Sequence, residues 1–137
     1  MILYEYNSNH IHGESIKSNN AVDLTRAYKK LHKMFTSRGL QPQLNILDNE
    51  FSSLFKHFMT KVDEKFQFLP PHLHRQNAAE RVICTFKNHL IAGISSIKKY
   101  FPMHLGCQFI PQACLVLNVL RQSIINPKLS TYAQVHG

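Results

Sequence analysis

Leu44-Asn45-Ile46-Leu47-Asp48-Asn49-Glu50 is a short apolar run that ends on a carboxylate. Runs of this length with polar flanks suit a buried strand. In open α/β sheets ligands collect where strands end, so an acid at that point is placed to hold a metal or a phosphate. A second acid, Glu80, stands in His74-Arg75-Gln76-Asn77-Ala78-Ala79-Glu80-Arg81, where the most strongly periodic helix of the chain begins. The bland alternative is a surface Asp and a helix N-terminal Glu that complements the macrodipole. What surrounds the two acids decides between these readings.

Upstream, residues 1–6 suit a strand, Tyr6 to Asn9 a turn, and His10 to Lys17 a second strand, so a hairpin is expected. Ser18-Asn19-Asn20 offers N-caps, and Leu24, Tyr28, Leu31 and Phe35 then recur at helical spacing. Arg26, Lys29, Lys30 and Lys33 make the outer side of that helix basic, and Gly39 is a natural stop. Such a basic side is either a solvated face or a DNA contact.

Downstream of Asp48, Phe51, Leu54, Phe55, Phe58 and Met59 outline a short helix, and Phe66 to Leu69 one more strand. Pro70-Pro71 forces a loop, because neither residue can donate to a helix or a ladder. A helix from about Asn77 to Lys99 follows, with Ile83, Phe86, Leu90, Ile94 and Ile97 on one face. Glu80 and Lys87 lie seven apart and point the same way, about a quarter-turn from that stripe. A last apolar helix spans roughly 111–121. Alternating strands and helices predict an α/β fold.

The 137 residues suit one domain, and 44% hydrophobic residues can build a core. Sixteen Lys and Arg against eight Asp and Glu give a formal charge of +8, which favours a polyanionic partner. Cys84, Cys107 and Cys114 have no metal-ligand spacing, so buried thiols in a reducing compartment are expected. Neither His10 and His12 nor His72 and His74 find the acid or cysteine that would complete a tetrahedral site. Cys84 reads as a small core residue, since no His is spaced to activate it. No stretch approaches the ~20 apolar residues of a membrane span. A soluble intracellular protein without membrane contact is the expectation.

Asp48-Asn49-Glu50-Phe51 and Gln76-Asn77-Ala78-Ala79-Glu80-Arg81 resemble two motifs of the integrase catalytic core of copia-type retrotransposons. That family, like retroviral integrases, has an RNase H-like fold and three catalytic acids, Asp, Asp and Glu. Asp48 matches the second Asp and Glu80 the Glu, and the likeness runs along the whole chain. The interval between them is a few residues shorter than usual, and Ala78 replaces a Gly. The family's first strand, with its first Asp, has no match; neither Glu5 nor Asp23 fits that position.

The resemblance implies Mg²⁺ (or Mn²⁺) held by Asp48 and Glu80, and phosphoryl transfer to DNA at two ions about 3.5–4 Å apart. It implies DNA contacts from Lys87, Arg81 and Asn77, a possible homo-oligomer, and a nuclear site of action. The implied sheet is mixed, flanked by helices, in the strand order 3-2-1-4-5 with the central first strand lacking. The expectation is therefore an N-terminally truncated, single partial core domain, inactive as it stands and poorly stable alone. The alternative is a non-catalytic basic remnant that binds nucleic acid through charge.

Overall fold

The structure, a computed structural model, describes residues 1–47, 53–68, 78–97 and 102–137. In chain order these form strands β1 (Ile2–Glu5) and β2 (His10–Gly13), helix α1 (Ala21–Thr36), strand β3 (Leu44–Leu47), helix α2 (Ser53–Lys61) and strand β4 (Lys65–Phe68). Helix α3 (Ala78–Ser95), a 3₁₀ turn (Met103–Gln108), α4 (Phe109–Leu120) and α5 (Thr131–His136) complete the chain. They belong to two compact units, one of residues 16–75 with Met1, the other of residues 2–15 and 76–137.

In the first unit, Asn20 caps α1 by accepting from the Asp23 amide at 2.7 Å, which satisfies one of the free donors of the opening turn. Tyr28, Leu31 and Phe35 are buried as the spacing predicts, α1 packs on α2, where Phe55 and Met59 are buried, and the Tyr28 ring stands edge-on to Phe55. Gly39, just past the end of α1, takes the left-handed φ of 73° that favours glycine. β3 and β4 run parallel, with Leu44 opposite Lys65 and Leu47 opposite Phe68. Parallel strands need a crossover, and α2 provides it.

In the second unit, β1 and β2 form the expected hairpin, with Ile2 opposite Gly13. β2 ends at Gly13 rather than continuing to Lys17, and Ile2 with Gly13 is the last pair of the ladder. The core gathers Ile11, Val82, Phe86, Ala113, Cys114 and Leu117, with Ile2, Tyr4, Leu90 and Ile110 against it. The buried stripe of α3 is therefore centred on Val82 and Phe86, a small rotation from the predicted Ile83 face. Ile83 is only half-buried, since Val82 is the residue four before Phe86. α5 was not foreseen; Ser130 caps it by accepting from the Ala133 amide at 3.1 Å.

Asn118 ties three elements of this unit together. Its side chain accepts from the Ile11 amide at 2.9 Å and donates to the Ile11 carbonyl at 2.7 Å. Thr131 Oγ1 donates to the Asn118 carbonyl at 2.9 Å, which fastens the start of α5. The thiols depart from expectation: Cys114 is buried, whereas Cys84 and Cys107 are exposed. Both lie outside the apolar stripes of their elements.

The fold is mixed α/β, with two small sheets flanked by helices. Among the described residues no strand joins the β1–β2 pair to the β3–β4 pair.

Candidate functional site

Glu80 sits in the first turn of α3, half-buried, where a carboxylate is favoured by the helix dipole. Lys87 lies two turns further along the same side and is exposed, as is Arg81. Asp48 immediately follows β3 and Asn77 immediately precedes α3; both lie outside the described residues. Among the described residues no group of three or more His, Cys, Asp or Glu could hold a metal ion. Glu80 is a ligand of the hard-oxygen kind that Mg²⁺ takes, but one carboxylate does not make a site.

β3 leads to Asp48, and a buried polar cluster in the first unit fixes that strand. Glu64, 5% exposed, is the centre. Tyr28 Oη donates to Glu64 Oε2 at 2.6 Å, and Asn45 Nδ2 donates to the same oxygen at 2.8 Å. His32 Nε2 lies 2.8 Å from Glu64 Oε1. The Tyr28 hydroxyl is also 2.9 Å from Asn45 Oδ1. Burial, then the adjoining Glu64 carboxylate, push the Tyr28 phenol well above the ordinary tyrosine range. The cluster joins α1, β3 and the residue before β4, so the inward face of β3 is set three residues before Asp48. Nothing in the local sequence marked it, because Tyr28, Asn45 and Glu64 meet only through tertiary packing.

The second unit holds a cleft of about 200 Å³ lined by Tyr4, Ala78, Arg81, Val82, Thr85 and Arg121. Tyr4 comes from β1, Arg121 from the end of α4, and the rest from the opening turns of α3. Arg121 Nη2 donates to Asn9 Oδ1, and Tyr4 Oη donates to the same oxygen at 3.0 Å. Asn9 holds its place with a left-handed φ of 64° and by donating to the Gln122 carbonyl at 2.8 Å. Burial raises the Tyr4 phenol above its usual range, with the Arg121 charge opposing the shift. Of these residues the sequence reading singled out Arg81 alone. No described helix is long and apolar enough to cross a membrane.

No family model matches the chain, and none of the curated proteins does. Solved structures do. The HTLV-2 integrase catalytic core domain in complex with magnesium, in its trimeric form, is 19% identical with a TM-score of 0.69, over 99% of this chain and 82% of that one. The catalytic core domain of BIV integrase is 14% identical with a TM-score of 0.64, over 98% and 82%. A simian T-cell lymphotropic virus intasome, solved with the PP2A regulatory subunit B56 gamma, matches 99% of this chain and 48% of its own at 15% identity and a TM-score of 0.69. The fold of this chain is that of the retroviral integrase catalytic core.

Proposed function

We propose that this chain is the catalytic-core portion of a copia-type retrotransposon integrase, a single core domain that acts on DNA with a divalent cation. The integrase-core fold over nearly the whole chain carries the reading. It is supported by Glu80 in the opening turn of α3 and by Lys87 on the same side of that helix. Asp48 and Glu80 would hold Mg²⁺ or Mn²⁺, which when bound activates an attacking hydroxyl and stabilises the leaving oxygen. Lys87, Arg81 and Asn77 are the proposed DNA contacts, and a charge of +8 draws the duplex in. The HTLV-2 cores were solved as a dimer and a trimer, which supports self-association here too. Work on chromosomal DNA would place the chain in the nucleus.

Asp48 and Glu80 are counterparts of two of the family's three acids, and the chain is read as not turning over alone. The runner-up is a non-catalytic basic remnant that associates with nucleic acid without sequence preference, favoured by the +8 charge.

The test compares the wild type with Asp48→Asn and Glu80→Gln, on duplex oligonucleotides with Mg²⁺ or Mn²⁺. We expect salt-sensitive binding by all three and no strand transfer. Strand transfer by the wild type that both variants lose would establish an active enzyme and overturn the inactivity. No DNA binding even at low salt would overturn both readings. An open frame upstream of the Met1 codon, encoding an apolar strand with an Asp, would favour the integrase over the remnant.

A further inference from the structure

We propose that the cleft between Tyr4, Arg81, Thr85 and Arg121 binds a phosphate group of a nucleic-acid backbone, with the two arginines as its cationic donors. The proposal rests on the DNA-binding reading above and deepens it by naming where one backbone phosphate is held.

Three observations carry it. The cleft is lined by two guanidinium groups, and among the described residues no carboxylate lines it. Its volume of about 200 Å³ far exceeds the roughly 10–15 Å³ that one water needs, so it has room for a tetrahedral oxyanion. Arg121 is half-buried, and its Nε–H is enclosed with no hydrogen-bond partner among the described residues. A buried guanidinium N–H without an acceptor is costly, and a phosphate oxygen would relieve that cost.

The neighbouring hydroxyls are already committed. Tyr4 Oη donates to Asn9 and Thr85 Oγ1 to the Arg81 carbonyl at 3.0 Å, so the cleft's remaining donors are the arginines. Asn9 takes one Arg121 nitrogen and thereby fixes the guanidinium plane. A guanidinium held in this way loses little freedom when it meets an anion, which is how a planar fork recognises phosphate. Glu80 does not line the cleft, so the proposed metal ligand and the proposed phosphate site use different side chains of one helix turn.

Anisotropy of a labelled duplex, read across a salt series, tests this for the wild type, Arg81→Met and Arg121→Met. Each variant is expected to weaken binding by about 10- to 100-fold. Each should also lower the slope of log K against log salt by about one. Inorganic phosphate should shift the Arg121 Nε–H resonance of the wild type, and duplex DNA should shift it further. Arg121→Met removes the bond to Asn9 and could unfold the hairpin; exposed Arg81 carries the test in that case. If both variants melt as the wild type does and bind DNA equally well, the cleft proposal fails while the DNA reading stands. If the wild type binds no DNA but phosphate still moves the Arg121 resonance, a free-anion site remains. The nucleic-acid proposal and the reading under it would then both be overturned.

Discussion

Tyr28 and Glu64, 36 residues apart, meet in a hydrogen bond of 2.6 Å between the phenol and a buried carboxylate. Tyr28→Phe keeps the ring against Phe55, whose centroid is 4.9 Å away, and removes only the donor. Glu64 Oε2 is then left with Asn45 alone. A lost bond to a charged group costs roughly 1.5–3 kcal/mol, so the unfolding free energy should fall by that amount, read as a lower denaturant midpoint at an unchanged slope. A midpoint equal to the wild type's would show that water replaces the phenol.

Alkali should unfold the protein through the same residue. The folded state holds the Tyr28 proton above the pH where an unfolded tyrosine releases it. Burial likewise pushes the Cys114 thiol up to about 11 from an ordinary 9.0. In both cases the folded state binds more protons, so stability is complete below the unfolded pKa and declines as pH rises past it. The decline begins near pH 9 for Cys114 and near 10 for Tyr28, at up to about 1.4 kcal/mol per pH unit for each group. Chemical denaturation of Tyr28→Phe and Cys114→Ala between pH 8 and 11 should show a shallower loss than the wild type. Parallel curves would refute the assignment.

The three thiols should separate kinetically. Cys84 and Cys107 are exposed and should be titrated quickly by a disulfide reagent at pH 8. Cys114 should react only on unfolding. Three equivalents consumed in one fast phase would contradict its burial.

Gly13 is required by space rather than by backbone angle. A Cβ there would stand 2.6 Å from Ile110 Cγ2 and 3.0 Å from Cys114 Sγ. Gly13→Ala should cost about 1–3 kcal/mol through overpacking. Ile110→Ala removes the Cγ2 methyl, and a double-mutant cycle compares the pair; a coupling of zero would mean the contact relaxes at no cost.

Asn118 should be among the least replaceable polar residues. Asn118→Leu leaves the Ile11 amide and carbonyl unpaired inside the core, at roughly 1–3 kcal/mol for each orphaned group. Hydrogen exchange at the Ile11 amide is the direct measure, and protection as strong as the wild type's would sink the argument.

Local order was legible where the cause is local. The Asn20 cap, the Tyr28-Leu31-Phe35 face and the Gly39 stop all follow from residues within a few positions of one another. The strand and helix order followed from the same periodicities, and the integrase-core fold was implied by the resemblance of the two acidic motifs. Contacts across long separations left no such trace. Asn118 with Ile11 spans 107 residues and Arg121 with Asn9 spans 112, and neither pair forms any repeat that a window could register. α5 was missed because Thr131 to His136 is a single short turn whose apolar content is low; its Ser130 cap was the available signal. At the site, the motif marked Glu80 correctly as a helix-opening acid, while Asp48 lies outside the described residues.

The second unit is assembled from residues 2–15 and 76–137, with the 16–75 unit inserted between them in sequence. On the ribosome the hairpin emerges ahead of the inserted unit, yet its packing stays incomplete until Asn118 and Thr131 have been made. The inserted unit, complete by residue 75, can close while the hairpin still waits. A nascent chain stalled near residue 115, with the last few tens of residues still in the exit tunnel, should therefore shield Phe35 and Phe55 from protease and leave Ile11 open to it. A segment made early would be among the last to find its place.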